Sequence, residues 1–342
     1  MLFSCVDNGI RKRFIDVSHQ ALGSLHFPIS LGFRSQTQKL AFLSSDVDGR
    51  FLKPVINFKN VMDIFKDRFN QGLPKPIFHQ AHIGETYSLI YSPFYLEDKL
   101  VDAILNEPVR TDLPDDFDIS NFAGGRPKWS IHFIPNLCPS CGWDLEGKRD
   151  SIVLCCKNCR TAWRAVKKEL KKLTVAHVPS DDSHVTYMPF WRIKADVSGI
   201  RLRSYADLIK VANLPKVAQE GWDRIRFHFW CPAFKVRPQN FLQIAGSMTV
   251  SQTLKKLKPE MPEGTRHPAN LPIQEAVESL KINLANFMRP RDKMTELIAD
   301  IDIVPETYLL AYIPFIEDHH EFIQPDINLA INKNMLGLAK NL

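Results

Sequence analysis

Residues 138–159 read CPSCGWDLEGKRDSIVLCCKNC, and four of the cysteines in this stretch form two C-x-x-C pairs. The first pair is Cys138 and Cys141, the second is Cys156 and Cys159, and fourteen residues separate them. Each pair can fold into a tight turn, or knuckle, that presents two thiolates to one metal ion. Two knuckles complete the closed tetrahedral sulfur set of structural zinc. The spacing therefore predicts one structural Zn²⁺ held by these four cysteines.

Two alternatives remain open for this site. Cys155 could replace Cys156 and give a C-x3-C pair, although Cys156 repeats the two-residue gap of the first pair. Iron is the rival metal, because four thiolates also suit a rubredoxin-like electron-transfer centre. The remaining possibility is that the cysteines are unbound buried thiols or disulfides.

The string CPSCGWDL…VLCCKNCRTAW, over residues 138–163, resembles the zinc-ribbon superfamily. It has the C-P-x-C-G first knuckle and an aromatic residue shortly after the second. The resemblance implies the ligand role for Cys138, Cys141, Cys156 and Cys159. Zinc ribbons occur in transcription, replication and ribosomal proteins and as structural appendages of enzymes, so the resemblance implies no single activity. The whole chain also resembles poorly characterised bacterial proteins that join such a ribbon to strand-Pro-Phe-aromatic units.

The composition indicates a globular protein with a substantial core, since 44% of the 342 residues are hydrophobic. Seven cysteines, four of them at metal-binding spacing, and residues 1–10 without a long apolar run argue against a secreted disulfide framework. We therefore expect a cytoplasmic protein. No stretch reaches the 18 or more uninterrupted apolar residues of a membrane-spanning helix, so none is predicted.

The positive charge is concentrated around the cysteines. The chain carries a formal net charge of +6. Residues 126–172 contain eleven basic and four acidic side chains, a balance of +7, which leaves about −1 for the rest. Within this region Ala162–Leu173 is predicted to form an amphipathic helix with an apolar stripe and a basic remainder. The candidate polyanion-binding residues on that helix are Lys167, Lys168, Lys171 and Lys172.

A short aromatic motif, Tyr-x-Pro-Phe, occurs three times, at 91–94, 187–190 and 312–315, with a degenerate copy at 230–234. Composition alone predicts roughly 0.03 copies, so the motif is a signal. Each copy follows a strand-like run, and a proline marks a strand start, an edge or a bulge. We interpret the motif as a repeated β-hairpin whose aromatic side chains fill a core. The alternative is an aromatic binding surface.

These features together predict an α+β fold. Its body is β-rich and built of repeated strand-Pro-Phe units, with an inserted zinc ribbon and several peripheral helices. Helices are expected at Phe58–Asn70 and Ile273–Met288, where apolar residues recur at helical spacing. The predicted division has three parts: an N-terminal α+β region at 1–128 with the first motif, the ribbon plus basic helix at 129–175, and a C-terminal α+β region at 176–342 with the other copies.

The sequence favours a non-enzymatic, zinc-stabilised interaction or scaffold protein, because no nucleophile elbow, phosphate loop or dinucleotide fingerprint is present. No catalytic or cofactor-binding residue is assigned. The expected partner is a protein, and an acidic one would match the basic region. The first alternative is a nucleic-acid-binding protein that uses this region with Trp143 and Trp163 as stacking groups. The second is an enzyme with the ribbon as a structural clip, acting through Asp318, His319 or His320.

Overall fold

The structure is a computed structural model that describes most of the chain. The described residues are 1–7, 9–13, 21–24, 26–27, 47–83, 90–109, 113–124, 133–148, 150–166, 169–182, 184–217, 219–252 and 256–338. The strands are β1 (Leu2–Val6), β2 (Gly9–Arg13), β3 (Ile77–His82), β4 (Phe94–Leu96), β5 (Leu100–Asp102), β6 (Glu107–Pro108), β7 (Leu145–Glu146), β8 (Val153–Cys156), β9 (Ala162–Val166), β10 (Glu169–Leu173), β11 (Val175–His177), β12 (Val185–Val197), β13 (Phe229–Pro232), β14 (Thr265–Arg266), β15 (Ile303–Glu317), β16 (Glu321–Gln324) and β17 (Leu329–Asn332). The helices are α1 (Phe58–Asn70), α2 (Tyr205–Val211), α3 (Pro238–Ser251), α4 (Ile273–Glu278), α5 (Leu280–Phe287), α6 (Arg291–Leu297) and α7 (Lys333–Leu338).

The chain divides into two compact units. The larger unit joins Met1–Arg13, Pro74–Thr86 and His132–Leu342, and the smaller joins Phe14–Leu73 and Tyr87–Ile131. The tetracysteine segment therefore belongs to the same unit as the β-rich body. The three-part division predicted from the sequence uses other boundaries and stays a prediction.

Both units contain β-sheet, and it dominates the larger one. The smaller unit contains α1 and a three-stranded sheet of order β4-β5-β6. The described residues of the larger unit form three sheets, of order β2-β1-β3, β10-β9-β8-β7 and β13-β12-β15-β16-β17. In the last of these, β11 adds to β15 and β14 adds to β12, both in parallel. Mostly antiparallel sheets accompanied by several helices make the protein α+β, as the sequence predicts.

The two long strands β12 and β15 form the centre of the largest sheet and carry two copies of the aromatic motif. They pair antiparallel along their whole length. Tyr187 lies opposite Pro314, and Pro189 lies opposite Tyr312. The second and third copies of the motif thus face each other in register.

Each of these two copies is flanked by one parallel and one antiparallel strand. On β12, a parallel strand pairs at Thr186–Tyr187 and an antiparallel strand pairs from Phe190 onward. On β15, a parallel strand pairs at Leu310–Tyr312 and an antiparallel strand pairs from Ile316 onward. In both strands the motif proline lies where one neighbour gives way to the next.

That placement explains how proline is tolerated inside a sheet. The N–H and C=O of a residue in an antiparallel ladder point to the same side. The carbonyl of Pro189 accepts from the backbone N–H of Ala233 at 3.0 Å, just beyond the end of β13. The carbonyl of Pro314 accepts from the side-chain amide of Gln324 at 3.2 Å. Each proline therefore lies at the junction between two neighbouring strands. The absence of one N–H donor costs least at such a position.

The motif aromatics of these two strands fill the main core. Phe190 and Phe315 are both 0% exposed, and their rings stack with centroids 6.1 Å apart. Phe234, from the degenerate copy, packs edge-on against Phe190 at 5.6 Å. For these copies the core interpretation holds, and the aromatic side chains form no open binding surface.

The first copy of the motif has a different setting. Phe94 begins the short strand β4 in the smaller unit and is only half-buried, against Phe27 at a centroid distance of 5.9 Å. Tyr91 packs edge-on against Phe51 at 5.1 Å. Residues 86–89, in the strand-like run before this copy, lie outside the described residues. Pro93 thus precedes a three-residue strand, whereas Pro189 and Pro314 lie within the two long strands.

Helical structure occurs in two of the predicted segments. Helix α1 spans the predicted residues, and the side chain of Asn57 caps it by accepting from the N–H of Asn60 at 3.0 Å. The predicted helix at 273–288 is instead two helices, α4 and α5, divided at Ser279. The Ser279 hydroxyl donates to the carbonyl of Ala276 at 2.7 Å, a local bond that competes with helix continuation. Among the described helices, none has the length and apolarity needed to cross a bilayer.

The predicted basic helix at 162–173 is wrong. This segment forms strands β9 and β10, which pair antiparallel with Trp163 opposite Lys172. A strand suits these residues better than a helix because its two faces can be buried separately. Ala162 and Leu173 belong to the main core on one face, whereas Trp163 and Leu170 belong to a second cluster on the other. Packing on two sides overrides the helical periodicity.

Candidate metal centre

The first cysteine pair lies on a tight turn held by backbone hydrogen bonds. The N–H of Cys138 donates to the carbonyl of Trp143 at 2.7 Å, and its carbonyl accepts from Cys141 at 3.3 Å and Gly142 at 2.8 Å. Gly142 has a φ of +73°, a conformation that glycine adopts without strain. The turn places the two sulfurs on one side.

The second pair repeats this geometry at the end of β8. The N–H of Cys156 donates to the carbonyl of Thr161 at 2.9 Å, which closes the turn. Arg160 stands where Gly142 stands in the first knuckle and also has a positive φ, +55°. Its guanidinium pairs with Glu263 at 2.5 Å. The two knuckles thus share one backbone design, with a non-glycine residue at the strained position of the second.

The four sulfurs fit one tetrahedral ion. Their Sγ atoms all lie within 4.8 Å of one another. Cys138 and Cys159 are 3.5 Å apart, as are Cys141 and Cys156. Zinc–sulfur bonds of about 2.3 Å place tetrahedral sulfurs about 3.8 Å apart, whereas a disulfide requires about 2.05 Å. The distances match a metal site and exclude disulfides between these cysteines.

The local hydrogen bonds favour thiolates at the first knuckle. Burial raises the pKa of Cys138, but bonds from the Thr161 hydroxyl and the N–H groups of Ser140 and Cys141 outweigh it and lower the pKa to about 6. The N–H of Trp143 chiefly lowers the pKa of Cys141.

Cys156 behaves in the opposite way. Burial raises its pKa to about 11. Thiolates gathered this closely repel one another unless a cation compensates their charge. A divalent ion would supply that compensation and release the protons.

The pleat of β8 separates the two adjacent cysteines that the sequence left ambiguous. Cys156 belongs to the small cluster around the four sulfurs, together with Cys138, Leu145 and Trp163. Cys155 points to the other face and belongs to the main core, where its thiol contacts the Tyr312 hydroxyl. Successive side chains of a strand alternate in direction, so only one of the pair can face the metal centre. The cluster contains Cys156 and not Cys155.

Thr161 is a residue of this site that the sequence analysis missed. Its hydroxyl lies 3.0 Å from the sulfur of Cys159 and 3.5 Å from that of Cys138, and it accepts from the Trp163 indole at 2.9 Å. It links the sulfurs to the aromatic side chain that covers them. Its position two residues after Cys159 is the sequence feature that could have indicated this role.

The sheet of the metal centre is attached to the body by its opposite face and by its loops. Val153, like Cys155, packs into the main core. The N–H of Ile152 donates to the carbonyl of Ala269 at 2.9 Å, and the Asn270 side chain bonds to Asp150. The sheet β7–β10 is therefore built into the larger unit on one side and closes over the cysteines on the other.

The candidate polyanion-binding lysines do not form one described surface. Lys167 and Lys168 lie outside the described residues. Lys171 and Lys172 are exposed but adjacent on strand β10, so their side chains leave opposite faces of the sheet. Lys157 is paired with Glu146 at 2.7 Å.

The two candidate stacking groups also differ. Trp143 is 59% exposed, whereas Trp163 is 7% exposed and covers the sulfur cluster. Trp163 is therefore a core residue of the metal centre and is not available for stacking on a base.

The acidic and histidine cluster at 318–320 lies in the turn between β15 and β16. All three side chains are exposed, and the turn is closed by the N–H of Asp318 donating to Glu321 at 2.9 Å. The carbonyl of His320 accepts from Lys333 at 2.9 Å. These groups are therefore presented to solvent on a tight turn.

No protein-family model, no curated protein and no solved structure matches this chain. The likeness to zinc ribbons thus rests on the cysteine pairs and on their geometry.

Proposed function

We propose that this protein is a non-enzymatic interaction protein whose binding surface is stabilised by a structural Zn²⁺. The observation that carries the proposal is the closed set of four sulfurs within 4.8 Å of one another, covered by Trp163. Four protein ligands leave no coordination position for a substrate, which is the arrangement of structural rather than catalytic zinc. Zinc is favoured over iron because the role inferred here requires no redox chemistry.

The surface proposed for the partner is the first knuckle. Leu137 and Trp143 flank Cys138 and are 52% and 59% exposed, and Phe133 is 92% exposed nearby in the sequence. Rigid exposed aromatic and aliphatic side chains are typical anchors of protein interfaces. The metal centre would hold this apolar surface in place.

The chemistry of the partner follows from charge. Described residues 133–173 contain six basic and four acidic side chains. Further basic residues lie within 126–172 in the sequence. An acidic surface surrounding an apolar pocket complements such a region, so the proposed partner is an acidic protein.

Affinity purification from the native cell, with mass spectrometry and nucleic-acid detection, tests this function. Wild type should retain a specific acidic protein that Trp143→Ser loses while keeping its zinc. Val217→Ser is the matched control, because Val217 is 88% exposed on another part of the chain. A partner held equally by Trp143→Ser would overturn the proposed surface. Recovery of nucleic acid with salt-sensitive retention would instead favour the nucleic-acid alternative.

A further inference from the structure

A cleft of about 600 Å³ lies in the larger unit, and none of the four clustered cysteines lines it. Four segments distant from one another in the chain line it: the hairpin β1–β2, the residues just after α2, one side of α3, and the chain from the end of α5 to the start of α6. Its volume falls within the range of small-molecule sites.

Helix α3 contributes one stripe to the cleft. Gln239, Gln243 and Ser247 recur at four-residue intervals along the side that faces it. Gly246 lies in the middle of this stripe, where a Cβ would approach the side-chain amide of Asn286 to 3.0 Å. Glycine in a helix interior costs about 1 kcal/mol relative to alanine. Here it leaves space for Asn286 at the cleft wall.

The described residues that line the cleft include three cations and no acidic side chain. They are Lys12, Arg289 and Arg291. None of the ion pairs among the described residues involves them. Burial lowers the pKa of Arg291, and the neighbouring charge of Arg289 lowers it further. The cleft thus gathers positive charge that the described part of the protein does not neutralise.

Both guanidinium groups are held in place by backbone carbonyls at the end of α5. Arg289 donates through Nη1 to Asn286 at 2.9 Å and to Met288 at 2.7 Å. Arg291 donates to Ala285 at 2.9 Å and to Asn286 at 3.3 Å. Each guanidinium has five N–H donors, so about three remain on each after these bonds. Capping the helix therefore positions the two groups without exhausting them.

The floor of the cleft is apolar. Phe3, Leu242 and Phe287 are at most 6% exposed and line it beside the partly buried Ile10 and Val250. Phe3 lies directly opposite Lys12 on the neighbouring strand, so an apolar surface and a charge occur side by side. A ligand that matches this arrangement carries both an anionic group and an apolar part.

We propose that this cleft binds a small organic anion, with its phosphate or carboxylate group between Lys12, Arg289 and Arg291 and its apolar part on Phe3, Leu242 and Phe287. Guanidinium groups bind both oxyanions through paired N–H···O bonds. The side-chain amides of Gln243 and Asn286 supply further donors. This site is independent of the metal centre and of the proposed protein partner.

Calorimetry on the metal-loaded full chain tests the proposal with hexyl phosphate, hexanoate and hexan-1-ol. At least one anion should bind measurably and weaken as salt is raised, and the alcohol should bind at least tenfold more weakly. Tighter binding of hexyl phosphate assigns a phosphate ester, and tighter binding of hexanoate assigns a carboxylate. Failure of both anions to bind at millimolar concentration, or equal binding of the alcohol, overturns the proposal.

Two variants locate the site. Lys12→Met and Arg289→Gln should each weaken anion binding about tenfold, the scale of a charge-assisted hydrogen bond. Lys12 is exposed, so its loss should leave the thermal unfolding midpoint unchanged even if Arg289→Gln lowers it. Arg224→Gln removes the same charge from an exposed residue that does not line the cleft, and should have no effect. An affinity unchanged by both Lys12→Met and Arg289→Gln places the anion elsewhere and overturns the assignment.

Discussion

The sheet of the metal centre and the sheet around β12 and β15 are held together by different means. The first closes over a cluster whose buried members, among the described residues, are Cys138, Leu145, Cys156 and Trp163. The second encloses a continuous core that includes stacked phenylalanines from two motif copies. So small an apolar cluster buries too little surface to offset the loss of chain entropy. We therefore expect the cysteine face of the first sheet to depend on a metal ion, whereas its opposite face and the second sheet depend on apolar packing.

The largest expected effect comes from removing a sulfur. Cys156→Ser should abolish stoichiometric metal binding and expose the amides of β8 and β9 to hydrogen exchange, because structural zinc contributes on the order of 10 kcal/mol in small metal-folded modules. The long strands β12 and β15 should stay protected. Elemental analysis and hydrogen exchange measure both outcomes.

The matched control is Cys155→Ser, which changes the neighbouring residue on the opposite face of β8. It should keep the metal, since Cys155 contacts Tyr312 and not the other sulfurs. Equal loss of metal in the two variants would show that the division of faces is wrong. A red, iron-containing wild type would show that the assignment of zinc is wrong.

The next effect tests the apolar sheet. Phe190→Ala should lower the free energy of unfolding by about 3 to 5 kcal/mol, the range for a fully buried phenylalanine. Zinc content should not change. Urea unfolding followed by tryptophan fluorescence measures the loss, since Trp191 and Trp230 are buried in the same core. Ile316→Ala, at a 42% exposed position of β15, should cost less than half as much. Equal losses would mean that burial does not set stability in this sheet.

Acid should weaken the body through His228. Burial first, and then the charge of Arg192, lower the pKa of His228 to about 4. The unfolded chain, with a histidine pKa of about 6.5, then binds more protons than the folded one. The contribution of His228 to the free energy of unfolding is therefore fully present above pH 6.5 and is lost as the pH falls toward 4.

The variant His228→Asn should therefore show a smaller fall in unfolding free energy between pH 7 and pH 4.5 than wild type. Acid also releases metal from thiolates, but both proteins share that loss, so their difference isolates the histidine. His184→Asn is the control, because that side chain is 90% exposed. If His184→Asn flattened the pH dependence as much as His228→Asn, burial would not be the cause.

The smallest effect distinguishes the two knuckles. Gly142→Ala should weaken metal retention about fivefold in competition with a chelator, since a left-handed conformation costs an alanine about 1 kcal/mol. Arg160→Gly removes the same strain from the second knuckle and should not weaken retention. Weaker retention in Arg160→Gly would mean that its pair with Glu263 matters more than the backbone strain.

The sequence predicted the features that depend on neighbouring residues. The cysteine pairs, helix α1 and the strand character of the two central motif copies are local patterns, and each lies where its residues indicated. Each C-x-x-C turn brings two sulfurs together, and the hairpin β7–β8 between the turns brings the two pairs together.

What the sequence did not predict depends on contacts between distant segments. Residues 162–173 have a helical pattern, yet they are strands because Leu173 packs into the body while Trp163 packs on the sulfurs. The basic cleft joins Lys12, Gly246 and Arg289, which are more than forty residues apart in the chain. No short window contains either arrangement.

The adjacent thiols of β8 have a consequence for folding kinetics. A strand shifted by one residue would still offer a sulfur, that of Cys155, to the other three cysteines, so coordination alone does not reject the shifted register. Only the body can reject it, because the shift would turn Leu154 and Cys156 toward the core and Val153 away. Metal coordination thus accepts either register of β8, and the packing of β8 against the core selects the correct one. Replacing Cys155 by serine removes the competing ligand, and refolding in the presence of zinc should then lose its slow, misligated fraction.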